Sequence, residues 1–203
     1  MRYGTDHKEQ TRSRVVAAAA RAMRARGPDQ VAVTEIMAQV GLTHGGFYAH
    51  FPSKDSLVGA AIEAAFEQSR ERVLGMSPDQ SPGETLRRFI NTYVSAEHRD
   101  RPELGCPIAL LSSYIPGQAA PARAAYDRGT KGLIGLIATG LSGLGADDAR
   151  DQAMSLLAEM AGAVALARAI HDRALSDRLL GQCRRNILAR AGLHSRPREA
   201  RST

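Results

Sequence analysis

Thr34-Glu35-Ile36-Met37-Ala38-Gln39-Val40-Gly41-Leu42-Thr43-His44-Gly45-Gly46-Phe47-Tyr48-Ala49-His50-Phe51-Pro52-Ser53-Lys54-Asp55-Ser56-Leu57 decides the fold of this 203-residue chain. Ile36, Met37 and Val40 recur at helical spacing, Thr34 can cap that run, and Gly41 can end it in the left-handed conformation open to glycine. A second short helix is expected from His44 to about His50, capped by Thr43, with Phe47 and Phe51 on its buried side. Pro52-Ser53 closes it. Ser53 then caps a longer helix from Lys54 to about Leu74, with Leu57, Ala61, Ala65 and Val73 inside. Two short helices joined by Gly41-Leu42 and flanked by longer ones have the layout of a helix-turn-helix, whose second helix enters the major groove.

Upstream, Asp6 and Glu9 have capping-box spacing, and Val15, Val16, Ala19, Ala22 and Met23 follow at helical intervals until Gly27-Pro28. Downstream, Gly75 to Gln80 breaks the chain, and Ser81-Pro82-Gly83-Glu84 combines a capping serine, a first-turn proline and a reciprocal glutamate. The helix it starts is expected to reach about His98. Further helices are expected around Pro107 to Tyr114, Pro121 to Leu141, Asp147 to Asp172 and Ser176 to Ala191. The sequence thus predicts an all-α chain: a helix-turn-helix domain over 1–54, a connecting helix over about 54–74, a helical bundle over 75–193, and a disordered basic tail over 194–203.

Composition agrees with helices. Aromatics are 4% of the chain, tryptophan is absent, and alanine and leucine carry much of the apolar surface. No run of about eighteen apolar residues and no leader pattern is present, which predicts a cytoplasmic protein without a membrane partner. Two cysteines, Cys106 and Cys183, point to a reducing compartment rather than a disulfide framework. The net charge of +6 is concentrated at the ends: residues 1–55 hold eight Lys/Arg against five Asp/Glu, and residues 184–203 hold six against one. That distribution suits either a polyanionic partner or a solvated basic face.

Chemistry assigns jobs near the second short helix. Two glycines, Gly45 and Gly46, cost about 1 kcal/mol each in a helix, which suggests close approach to another surface. Thr43 and His44 stand where side chains reach base edges, and Tyr48 and His50 offer donors to phosphate. Thr34 and Lys54 begin helices, where exposed amides and an ammonium can grip phosphates. A cap or an ordinary surface side chain is the competing role for each.

The segment from Thr34 to Leu57, extended back to cover about residues 8–60, resembles the signature of the tetracycline-repressor (TetR) family. Gly41, Phe47-Tyr48, His50-Phe51 and Lys54 to Leu57 carry the resemblance. It implies a homodimeric transcriptional regulator, most often a repressor of a palindromic double-stranded DNA operator, released by a small-molecule inducer. DNA contacts are then implied at Thr34, Thr43, His44, Gly45, Tyr48, His50 and Lys54. An inducer pocket is implied within 81–175, for which Phe89, Tyr93, Cys106, Leu110, Tyr114, Tyr126 and Ile137 are candidate lining residues, with plain core as the other reading. Dimerisation is implied through the last two long helices. There Leu156, Leu157, Met160, Val164 and Ala167, with Leu180 and Ile187, form stripes, and Gly162 permits close approach. An intrachain bundle core is the competing account of those stripes.

Gly105-Cys106-Pro107 puts a thiol at an expected helix start, where the backbone amides would lower its pKa and favour the thiolate. The 104–111 segment resembles that of TetR-family members that sense electrophiles; a buried, inert cysteine is the alternative. An enzyme has little to work with: 140–145 lacks the G-x-G-x-x-G order, the histidines lack metal-ligand spacing, and no G-x-S-x-G elbow occurs. No cofactor or metal is therefore expected. A helical adaptor that binds protein through its helix-turn-helix is the remaining rival, separable by salt dependence.

Overall fold

The structure, a computed structural model, describes residues 3–74 and 80–193, with side chains over 7–72 and 80–193. The expected break at 75–79, the tail from His194 and the side chains of Asp6 and Val73 lie outside the described residues. Among those described, all regular structure is helical: α1 (Tyr3–Arg26), α2 (Val33–Gln39), a 3-10 helix (His44–Ala49), α3 (Lys54–Leu74), α4 (Pro82–Tyr93), α5 (Ala96–Asp100), α6 (Ile108–Leu111), α7 (Ala120–Ser142), α8 (Ala149–Ala169) and α9 (Arg173–Arg190), with single 3-10 turns at Pro102–Leu104 and Ile115–Gly117. None is long and apolar enough to cross a membrane.

Several boundaries fall where local chemistry put them. Gly41 has φ +76°, α3 starts at Lys54, and the Ser56 amide donates to Ser53 Oγ at 3.1 Å. The Glu84 amide donates to Ser81 Oγ at 3.3 Å to open α4. Others move. The first helix already includes Tyr3, upstream of Asp6. Ala32 rather than Thr34 precedes α2. α4 stops at Tyr93, and Ser95 caps the separate α5 through the His98 amide.

Val15, Ala19 and Met23 of α1, Ile36 and Met37 of α2, Phe47, Phe51, and Leu57, Ala61 and Ile62 of α3 are all buried and belong to one continuous core with the later helices. α3 runs on from the N-terminal helices to pack along α7, which in turn packs on α8, and α8 on α9. The buried Arg99 guanidinium joins α5 to α9, donating to Ser176 Oγ at 2.7 Å and Asp177 Oδ1 at 2.6 Å.

The stripes nominated for dimerisation are turned the other way. Leu156, Leu157, Met160, Val164, Ala167, Leu180 and Ile187 are at most 4% exposed within the chain, so they are its own core. An alanine-rich helix has two apolar faces, and α8 gives the larger side chains to its own domain. Its outer face carries Met154, Ala158, Gly162 and Leu166, with Leu175 on α9; Leu166 is 59% exposed and Met154 46%.

Candidate nucleic-acid interface and pocket

The 3-10 helix is held from beneath. Phe47 stacks on Phe51 with ring centroids 5.6 Å apart, and the Arg12 guanidinium lies 4.9 Å from the Phe51 ring centre. Leu42 and Gly41 donate back to the Met37 and Ala38 carbonyls, and Arg14 of α1 donates to the Val40 carbonyl at 2.9 Å. The second short helix is thus a pinned 3-10 turn rather than the expected α-helix. With 3.0 residues per turn, His44 and Phe47 would share a row, yet the pin turns Phe47 in and leaves His44 out.

Above the pin, Thr43, His44, Gly45 and Tyr48 are exposed, and Tyr48 is 67% exposed. Tyr48 rests edge-on against Phe47 and His44. A Cβ added at Gly45 would meet nothing within 4 Å, so no packing inside the chain demands glycine there. Thr34 and Lys54 are exposed at the starts of their helices, flanking the turn. Neither Thr34 nor Thr43 spends its hydroxyl on a helix cap. His50 is half-buried, and its Nδ1 is buried without a hydrogen-bond partner.

In the C-terminal half, a cleft of about 300 Å³ opens between α3, α4 and the 95–106 segment. Phe89, Tyr93, His98 and Leu104 give it apolar surface, and Ser69, Arg72, Thr92, Ser95, Glu97 and Arg101 give it a polar rim. Among the candidate lining residues, Phe89, Tyr93 and Cys106 meet here. Leu110, Tyr114, Tyr126 and Ile137 do not: Tyr114 packs over Gly27, Tyr126 packs on Phe66 and bonds Ser112, and Ile137 is core. Residues several turns apart on different helices carry no sequence signal for which of them share a hollow. His98, Arg72 and Leu104 were invisible for the same reason.

His98 organises the cleft wall. Its Nδ1 lies 2.7 Å from the Tyr93 carbonyl, and its Nε2 accepts the Cys106 amide at 2.8 Å. An amide only donates, so Nε2 is unprotonated and Nδ1 carries the proton. Burial, opposed by the Tyr93 carbonyl and aided by Arg168 and Arg72, lowers the His98 pKa to about 4. A base whose folded pKa lies below its unfolded value of 6.5 stabilises the fold above that value, and the contribution is lost as pH falls from 6.5 through about 4. It is of the order of 3 kcal/mol. Urea melts between pH 7 and pH 4 should show that loss, and His98→Gln should flatten this part of the profile; equal slopes would refute it.

Cys106 departs from its expected chemistry. The Ile108 and Ala109 amides do favour the thiolate, as a helix start should, but complete burial outweighs them and pushes the thiol up to about 11. The thiol is protonated at neutral pH. The Tyr93 hydroxyl facing it is also fully buried and lacks a hydrogen bond of good geometry. Among the described residues no group of histidine, cysteine or acidic side chains could hold a metal ion.

Comparison with known proteins adds two sequence patterns. Residues 15–61 match "Bacterial regulatory proteins, tetR family", and residues 82–178 match "Transcriptional regulator LmrA/YxaF-like, C-terminal domain". No curated protein sequence matches the chain. Among solved structures, reduced E. coli NemR is similar at 20% identity and TM-score 0.75, over 88% of this chain and 95% of that one. A TetR-family regulator from Agrobacterium tumefaciens is similar at 22% identity and TM-score 0.75, over 90% and 98%. A TetR regulator from Chloroflexus aurantiacus reaches 28% identity and TM-score 0.72, over 91% and 95%.

Proposed function

Because the chain belongs to the bacterial TetR family of regulatory proteins, we propose that it is a dimeric repressor of a palindromic operator, released when a small molecule fills the cleft lined by His98. Members of this family are DNA-binding transcriptional regulators, not enzymes. In this proposal residues 1–54 read DNA, α3 connects, and 75–193 bind the effector and the second subunit.

The observation that carries the proposal is the pinned turn with its open outer face. Phe47 faces in while Thr43, His44, Gly45 and Tyr48 face out, with Thr34 and Lys54 to either side. Thr43 and His44 are assigned to base edges, Tyr48, His50 and Lys54 to phosphate, and the bare Gly45 to close backbone approach. Two such turns in a two-fold dimer would enter successive major grooves about 34–36 Å apart on one side of a duplex.

On the cleft rim Arg101 faces Glu97 and Glu103, and Arg72 donates to the neutral Leu104 carbonyl. The aromatic and apolar interior favours an effector with a large apolar part, its polar groups directed to the rim. The protonated state of the buried Cys106 favours release by occupancy over release by thiolate chemistry.

Selection of duplexes from random oligonucleotides, followed by titration over salt, tests the DNA reading. Lys54→Ala should weaken binding about tenfold on every sequence and reduce the magnitude of the salt slope by about one, and Tyr48→Phe should add to the loss. An adaptor that binds protein through an apolar groove would respond little to salt. Unchanged operator affinity in the double variant would overturn the contact assignment.

A further inference from the structure

Arg24 lies in α1, on the DNA-reading side, and is 2% exposed. Its Nε donates to the Ala20 carbonyl at 3.1 Å, one terminal nitrogen to the Gly105 carbonyl at 3.2 Å, and the other to Gln68 Oε1 at 2.7 Å on α3. Among the described residues no carboxylate forms a salt bridge with it, and Glu103 acts on it only through its charge at longer range. A guanidinium buried among neutral acceptors is expensive, and an aliphatic side chain would fill the same space more cheaply. Burial and the neighbouring Arg72 lower its pKa to about 10, which leaves it charged at neutral pH.

Its distant acceptor is part of the cleft wall. Leu104, Gly105 and Cys106 all line the cleft, and the Cys106 amide is bonded to His98. Gly105 is packed so closely that a Cβ there would stand 2.7 Å from His98 Nε2. Arg72 of α3 donates to the preceding carbonyl, Leu104, at 2.5 Å. Two successive carbonyls of the wall are therefore gripped by guanidinium groups from α3 and α1. α1 in turn holds the end of α2 through Arg14 and the Val40 carbonyl, which completes a polar line from cleft to reading turn.

We propose that Arg24 is the positioning residue that couples the effector cleft to the DNA-reading turn, by tying the Gly105 carbonyl to α1 and α3. An effector that displaces 104–106 then either drags α1 or breaks this bond, and operator binding fixes 104–106 in return. The inference rests on the DNA-binding reading above. Contacts independent of Arg24 hold the chain just beyond α1: the Tyr114 ring over Gly27, and Gln118 donating to Asp29 Oδ1 at 2.9 Å. Loss of the guanidinium thus separates coupling from docking.

Reciprocity allows a test without a known effector. Amide hydrogen exchange of the 104–111 segment is followed by mass spectrometry in the intact dimer, with and without a selected operator duplex. In the wild-type protein the duplex should slow exchange in this segment about fivefold or more. In Arg24→Gln the ratio should fall to about one while the duplex still binds, and Gln68→Ala, which frees one arm of the guanidinium, should give an intermediate ratio. If Arg24→Gln does not fold, Gln68→Ala alone decides. A wild-type ratio in either variant overturns the coupling, as does wild-type protein that binds the duplex without protecting 104–111. Failure to bind any duplex sinks the DNA reading as well.

Discussion

Leu166→Glu is expected to turn the proposed dimer, paired through the outer face of α8, into monomers and to lower affinity for a full operator by about 10²–10⁴-fold, the advantage that linking two half-site contacts confers. Leu166 stands on the outer face of α8, one turn from Gly162 and two from Ala158, with Met154 beyond. Among the described residues nothing lies within 4 Å of a Cβ placed on Gly162, so none of them covers this face there. In a two-fold interface the same surface meets itself, and the substitution buries two carboxylates in one apolar patch. Because Leu166 is already 59% exposed, the fold of each subunit should survive. Sedimentation should show one subunit's mass, and fluorescence anisotropy should give similar affinities for half and full sites. A variant that remains dimeric would place the interface elsewhere. Val164→Glu is the contrast: at 0% exposure it should destabilise the subunit itself.

Phe47→Ala will abolish operator binding without removing a single DNA contact, and will cost about 3–5 kcal/mol in stability. The 3-10 helix is six residues long and has no side-chain cap. So short a segment is not stable by itself, and its orientation comes from Phe47, 1% exposed, stacked on Phe51 and supporting Tyr48. Without the ring, His44 and Tyr48 lose their platform. Urea unfolding with and without the substitution, alongside anisotropy on the selected duplex and a sedimentation run, separates the outcomes. The expected variant is still a dimer at low temperature, melts earlier and binds no duplex; normal operator affinity would show that the turn does not depend on its pin.

Much of this was legible along the chain because it depends on near neighbours. The Gly41 bend, the start of α3 at Lys54 with Ser53 and Ser56 reciprocally bonded, and the Ser81 cap each involve residues within four positions of one another. Burial of Phe47 and Phe51 followed from their spacing. Even locally the reading had limits: α1 extends past Asp6 to Tyr3, and α4 stops short at Tyr93, because a helix end is a balance of small terms that packing can tip.

The all-helical class, the order of the long helices and the outward residues of the turn were determined by the sequence itself, since periodicity and punctuation act over one or two turns. Tertiary structure alone decided which apolar face of α8 is core, that His98 holds its second proton more weakly, that the Cys106 thiol stays protonated, and that Arg24 reaches Gly105, 81 positions away. Those outcomes depend on what surrounds a group in three dimensions. Burial and long-range hydrogen bonds leave no trace in the spacing of neighbours, and in an alanine-rich helix both faces look equally fit to be inside.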